Sequence, residues 1–280
     1  MQIDHSRQRA ICSLLSVAVG ILFFAAPIAV AGEALNKKEG DTISSFSRWV
    51  IAADYAADGS LLVTAGGESL LYRPGDVVVW KSDGSRVGEL SGHPTAVWAV
   101  DVSSDGKLAA TAGYDGLVKV WDLQSRKLKA DLKQHKGWVR SLAFSPDGAR
   151  LASAGEDGKV FLWNTKDGKA AVTVEAHKGP ATAVAFSPDG KTFVTGGGDN
   201  LVKVWNAADG TAIQTLAGHE DTIWSIAYSP SRSQFVSTGA DPPARARTRA
   251  GAATRARGGA RRRCHRDHRG RHEGDFRPFS

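Results

Sequence analysis

A chain of 280 residues is long enough for one large core or two small ones, and its composition is ordinary for a globular protein apart from 31 glycines, 8 tryptophans and a single methionine. The formal charge of +7 is unevenly spread, because residues 242–280 hold 12 arginines, no lysine and only Asp267, Glu273 and Asp275 as acids, a net of +9. Residues 1–241 therefore carry −2, and the basic isoelectric point of 9.5 belongs to the tail, which excludes a polyanion-binding role read from overall charge alone. Cys12 and Cys264 are the only cysteines, so no internal disulfide is expected.

The chain opens with Arg7 and Arg9, followed by the uncharged apolar run 11–31 that closes on Ala29-Val30-Ala31 before Gly32. A positive start, an apolar middle and a small-residue end read as a secretory signal peptide over residues 1–31. The alternative is an uncleaved anchor, since an apolar run of this length can span a bilayer. In both cases the basic end stays inside and the rest is exported. The expected location is thus periplasmic or secreted in a bacterial setting, with inner-membrane anchoring by residues 11–31 as the alternative. Residues 32–48 follow as a short polar linker.

From Trp49 onward one unit recurs. His stands at 93, 135, 177 and 219, a step of 42 each time, and Trp at 80, 121, 163 and 205. The interval from His to Trp is 28 in each complete copy (93 to 121, 135 to 163, 177 to 205). A fixed period near 42 signals a repeat architecture. Each copy holds four short runs of alternating residues separated by turn signals, hence a four-stranded antiparallel sheet. In the run after each His, the fifth, seventh and ninth positions are bulky (Trp98, Val100, Val102 in one copy; Arg140, Leu142, Phe144 in the next), and the positions between them are mostly small. One bulky and one small side suit sheets that stack face to face and taper towards an axis. The next turn reads Ser145-Pro146-Asp147-Gly148 and Ser187-Pro188-Asp189-Gly190, with Gly accepting the positive φ that closes the hairpin.

Gly92-His93 and Gly218-His219 with Trp121-Asp122 at this spacing resemble the WD-repeat β-propeller family over about residues 49–241. The resemblance implies an all-β fold, a propeller of four-stranded antiparallel blades, with about four and a half blades encoded and the ring incomplete. It also implies a buried hydrogen-bonded set in each blade. The sets are His93, Thr111, Asp115, Trp121; His135, Ser153, Asp157, Trp163; and His177, Thr195, Asp199, Trp205, with His219, Ser237 and Asp241 beginning a further one. Buried polar groups are costly unless paired, and these four types can satisfy one another. A Ser-His-Asp trio invites a hydrolase reading, but the trio repeats at every period, so the residues read as structural.

The first blade lacks the initial His and inserts Glu68–Gly75, whose Leu70, Leu71 and Tyr72 either fold back over the blade or meet a partner. The fifth unit begins regularly and breaks at Pro242-Pro243, where Arg, Ala and Gly replace the expected Trp-ending strand. Residues 242–280 read as a disordered tail, of the kind a reading-frame shift in GC-rich DNA would produce. The open edge this leaves invites self-association. Cys264, His265, His268 and His272 are spaced like metal ligands, but they lie in a compositionally biased segment and no metal site is assigned. Arg261 stands where a covalent haem motif needs cysteine.

Inside the repeats there is no phosphate-cradling loop, paired-carboxylate cleft or metal cluster, so no cofactor and no catalysis are expected. The function read from the sequence is a non-catalytic interaction scaffold with a protein or peptide partner. Specific nucleic-acid binding is not expected, and membrane contact arises only if the N-terminal segment is retained. By the resemblance, partners meet the face that carries Trp98, Tyr114, Trp138, Arg140, Glu156, Thr182, Thr222 and Trp224, types that include the common hot-spot residues. Trp138 is expected to be exposed, because its counterparts are Ala96, Pro180 and Thr222, whereas Trp98 and Trp224 either cap the core or face a partner. The alternative function is the binding portion of a larger protein with a c-type cytochrome module.

Overall fold

The computed structural model describes residues 49–67, 74–230, 234–241 and 247–248. These residues form strands and turns with no helix, arranged as five antiparallel sheets. The first sheet is β1 (Trp49–Tyr55), β2 (Leu61–Gly67), β3 (Asp76–Lys81) and β4 (Arg86–Glu89). The second is β5 (Val97–Val102), β6 (Leu108–Gly113), β7 (Val118–Asp122) and β8 (Lys127–Leu132). The third is β9 (Val139–Phe144), β10 (Arg150–Gly155), β11 (Lys159–Asn164) and β12 (Ala170–Glu175). The fourth is β13 (Ala181–Phe186), β14 (Thr192–Gly197), β15 (Val202–Asn206) and β16 (Ala212–Leu216). The fifth has three strands, β17 (Ile223–Tyr228), β18 (Phe235–Gly239) and the two-residue β19 (Arg247–Thr248). Every sheet is a meander in chain order, and the array is an incomplete β-propeller. Beyond Pro242 a strand was not expected, yet Ser237 pairs with Arg247 and Val236 with Thr248, so backbone pairing continues briefly without an apolar pattern to drive it. The signal segment, the linker, the apolar insertion at Leu70–Tyr72 and the remaining tail lie outside the described residues.

The turns explain the meander. In Ser145-Pro146-Asp147-Gly148 the Asp147 carboxylate receives the Ala149 N–H at 3.0 Å and the Ser145 hydroxyl, and Gly148 takes φ +69. An Asp that bonds its own turn and a Gly that tolerates the left-handed region close the hairpin without strain. Asp105 and Asp189 repeat the pattern in the second and fourth sheets.

The core lies between successive sheets rather than inside one. Val63, Val79, Val97 and Trp121 fill the first gap, and Val120, Leu142, Leu151 and Trp163 the second. Val160, Phe186, Phe193 and Trp205 fill the third, and Val204, Ile223, Ile226 and Phe235 the fourth. Trp121, Trp163 and Trp205 thus each pack between their own sheet and the sheet before it, a large apolar burial at the first three junctions. The innermost strands β1, β5, β9, β13 and β17 lie side by side in that order. Side chains staple neighbours together: the Val102 N–H donates to Asp54 Oδ2 at 2.7 Å, and the Phe144 N–H to Asp101 Oδ2 at 2.6 Å.

Candidate functional site

Two constellations occupy one end of the sheets. The first is the buried relay. In the third sheet Trp163 Nε1–H donates to Ser153 Oγ at 2.8 Å, Ser153 Oγ lies 2.8 Å from His135 Nε2, and His135 Nδ1 lies 3.0 Å from Asp157 Oδ1. In the second sheet the distances are 2.7 Å (Trp121 to Thr111), 2.8 Å (Thr111 to His93) and 2.8 Å (His93 to Asp115). In the fourth they are 2.9 Å (Trp205 to Thr195), 2.8 Å (Thr195 to His177) and 2.7 Å (His177 to Asp199). His219 meets Ser237 at 2.8 Å and also Asp241. In the first sheet Trp80 donates to Thr64 at 2.9 Å without a histidine.

The proton order follows from donor supply. The indole can only donate and the carboxylate can only accept. The hydroxyl oxygen that receives the indole N–H must therefore pass its own hydrogen to His Nε2, and Nδ1–H faces the carboxylate. This assignment requires a neutral imidazole. Burial lowers the His135 pKa, outweighing the opposing Asp157 carboxylate, and His177 behaves alike with Lys203 adding to the depression. Burial raises the Asp157 carboxyl, but the Lys136 N–H, His135 and the Lys159 N–H outweigh it and hold the group below its ordinary value.

The Asp157–His135–Ser153 order is that of a hydrolase relay, yet Ser153, Thr111 and Thr195 are each 0% exposed. Each hydroxyl already serves an indole and an imidazole, so no substrate carbonyl can reach it. The relay locks each Trp-bearing strand to its neighbour and to the loop that carries the His.

The second constellation is built by a recurring backbone irregularity. On every innermost strand one residue is left out of register: Ile51 in β1, Trp98 in β5, Arg140 in β9, Thr182 in β13 and Trp224 in β17. Val97 faces Gly113 and Ala99 faces Ala112, for example, with Trp98 as the extra residue between them. A bulge re-aims the side chain it carries. The alternation expected along these strands therefore fails at this point: Val97 and Ala99 are the buried residues, and Trp98 leaves the stack.

Across the second and third sheets the re-aimed residues converge. Tyr114, at the end of β6, packs edge-on between Trp98 (centroids 5.4 Å apart) and Trp138 (4.2 Å). The Arg140 guanidinium carbon lies 5.4 Å from the Trp98 centroid and 5.1 Å from that of Trp138, within cation–π range. Arg140 Nε donates to Glu156 Oε1 at 2.7 Å, and Nη2 donates to the same oxygen. Burial raises the Tyr114 phenol pKa, with Arg140 opposing and Glu156 adding.

The remaining face residues do not join this cluster. Trp138 is half-buried rather than exposed, because Tyr114 and Arg140 cover it. Thr182 is buried, its hydroxyl donating to the Gly196 carbonyl at 2.9 Å and to the Ile223 carbonyl, so it serves the junction of the fourth and fifth sheets and not the surface. Trp224 is 40% exposed on β17, with half-buried Thr222 beside it. Among the described residues no three His, Cys, Asp or Glu side chains converge as a metal site; the Cys264–His272 set lies outside them.

Stacked four-stranded sheets with this relay define a propeller-type repeat protein. The chain belongs to the WD domain, G-beta repeat family, whose pattern matches residues 84–122, 126–164, 168–206 and 210–242, more than half of the sequence. Each matched span starts on the outermost strand of one sheet and continues through the first strands of the next, so every repeat closes its predecessor's sheet. The chain is 30% identical over 86 residues, 31% of its length and 24% of the relative's, to "Eukaryotic translation initiation factor 3 subunit I" of Phaeosphaeria nodorum. The proteins of the same name from Neosartorya fischeri (30% over 83 residues, 30% of this chain, 23% of the relative) and Scheffersomyces stipitis (32% over 73 residues, 26% of this chain, 19% of the relative) are similar. The chain thus matches about a quarter or less of each of these relatives.

These matches correct the expected location. The relatives are subunits of a eukaryotic translation initiation factor, and translation is initiated in the cytoplasm, so the periplasmic or secreted assignment and its inner-membrane alternative are overturned. Among the described residues no helix is long and apolar enough to cross a membrane. The bacterial setting and the c-type cytochrome alternative draw no support from the matches.

Proposed function

We propose that the chain is a non-catalytic scaffold whose protein partner docks on the Trp98–Tyr114–Trp138–Arg140–Glu156 cluster. The observation that carries this reading is the convergence of three aromatic rings and one guanidinium from two sheets onto a single surface, each partly accessible. Trp, Tyr and Arg are the residue types in which hot spots are enriched, and here Arg140 is already held by two indoles and Glu156. The relatives are by name subunits of a multi-subunit factor, and a subunit works through contacts with other proteins. Burial also supports the scaffold role: the Thr111, Ser153 and Thr195 hydroxyls are sealed in the relay. The test places a photo-crosslinking residue at Trp138 and, as a control, at Leu128 on the outer strand β8. A discrete protein adduct from position 138, absent from 128 and lost in Trp98→Ala, is expected. Equal labelling from both positions would overturn the reading.

Self-association through the fifth sheet is a second reading, favoured by the pairing of β18, which among the described residues engages β19 at Val236 and Ser237 alone. Sedimentation velocity over a range of concentrations tests it, and a single monomeric species throughout would refute it.

A further inference from the structure

The cluster also indicates what its partner must present, an inference that rests on the protein-docking reading above. Arg140 bonds Glu156 from one side only: Nε and Nη2 both converge on Glu156 Oε1. Nη1 carries no hydrogen bond among the described residues, which leaves the Nη1–Nη2 end of the fork unclaimed. Two indole rings and Glu156 hold the guanidinium in place, so its orientation is fixed before anything binds. A pre-set planar fork matches a carboxylate with two parallel hydrogen bonds and little entropy left to lose.

The surrounding charge agrees. Lys136 and Lys178 stand one residue after His135 and His177, on loops at the same end of the sheets, exposed and without an ion-pair partner among the described residues. The corresponding loop before β17 carries Glu220 and Asp221 instead, so these two exposed ammonium groups belong to the third and fourth sheets, the third being the one that carries Arg140. In the fourth sheet's loop Gly179 and Gly198 carry no side chain, and Pro180 stands where the third sheet has Trp138. Trp138 and Tyr114, both half-buried and packed against each other, supply the apolar part of the site.

We infer that the free end of the Arg140 fork takes an aspartate or glutamate side chain of an acidic peptide segment, whose adjacent apolar side chain packs on Trp138 and Tyr114. Lys136 and Lys178 steer such a segment and make its binding salt-dependent.

The test uses the full chain, ¹⁵N-labelled, and two blocked pentapeptides: one with glutamates flanking a phenylalanine, and its glutamine isostere. At millimolar concentration the glutamate peptide shifts the indole N–H resonances of Trp98 and Trp138, and added salt weakens the effect. The glutamine peptide leaves them in place. Arg140→Gln weakens binding of the glutamate peptide at least about tenfold, and Arg140→Lys, which keeps the charge but loses the fork, falls between. Should Arg140→Gln fail to fold, the pair Lys136→Gln/Lys178→Gln, on exposed loops, must still lower affinity and flatten the salt dependence. Equal shifts from both peptides, no shift from either, or unchanged binding in folded Arg140→Gln would each overturn the inference. Displacement of the glutamate peptide by an equal concentration of inorganic phosphate would reassign the fork to phosphate and overturn it as stated. If acidic selectivity fails while crosslinking from position 138 persists, the docking surface stands and only its chemistry is lost.

Discussion

Ser153→Ala removes one oxygen atom from the centre of the third sheet's relay. Ser153 is 0% exposed, accepts the Trp163 indole N–H at 2.8 Å and lies 2.8 Å from His135 Nε2. The vacated space is smaller than a water molecule needs, so both groups are stranded. Each buried group left unpaired costs about 1–3 kcal/mol, which makes the expected loss about 2–6 kcal/mol. That is a large part of the ~5–15 kcal/mol that holds a typical domain folded. At about 2–4 °C per kcal/mol for a chain of this size, Tm falls by roughly 5–20 °C. Urea unfolding followed by tryptophan fluorescence, beside a thermal scan, measures it. Ser153→Thr should stay near the parent, because Thr111 and Thr195 fill the same post in neighbouring sheets. A double-mutant cycle with Trp163→Phe should return a coupling of about 0.5–3 kcal/mol. A loss below about 0.5 kcal/mol for Ser153→Ala, within the range of an ordinary surface change, would refute the relay as the register lock.

Gly158 holds φ +74, and a Cβ there would stand 2.5 Å from the His177 carbonyl oxygen, so Gly158→Ala should lower stability by at least the ~1–2 kcal/mol of the left-handed penalty; an unchanged urea midpoint would disprove the contact. Buried Lys119 pairs with Asp131 at 3.1 Å. Lys119→Met is expected to be neutral or stabilising, whereas Asp131→Ala strands the ammonium and destabilises, and a calorimetric scan that reversed this order would rule out the pair as drawn. For pH, His135 and His177 have folded values below 6.5, so the unfolded chain binds their protons first as pH falls. Their contribution is complete above 6.5 and is lost as pH falls through the folded values. Asp157 and Asp199 lie below 3.8, so a second loss follows as pH falls through theirs. Urea midpoints should therefore decline as pH falls from about 8 through 6.5 to about 5, before Asp157 and Asp199 take up protons, and a flat profile over that range would contradict the neutral relay.

The parts of this protein that repeat could be read from its residues, because a buried polar set tolerates few substitutions of type or spacing. His, Ser or Thr, Asp and Trp meet at hydrogen-bond distance in the second, third and fourth sheets, and the 28-residue interval from His93 to Trp121 recurs unchanged for that reason. The Trp98–Tyr114–Trp138–Arg140–Glu156 cluster was harder to read, since it depends on a bulge that strict alternation does not anticipate. The sign was present nonetheless. In β9 Val139, Leu142 and Phe144 are buried at intervals of three and then two. A step of three in a strand means that one residue has been squeezed out of the pleat. The core constrains only the residues on either side of it, and the squeezed-out position is free to vary: Trp98, Arg140, Thr182 and Trp224 occupy it in successive sheets. Thr182 turned inward because its hydroxyl found the Gly196 and Ile223 carbonyls, a tertiary outcome that no local pattern encodes. The bulge thus separates two demands on each innermost strand: its flanks hold the sheets together, and the residue between them is not bound to the strand's pleat.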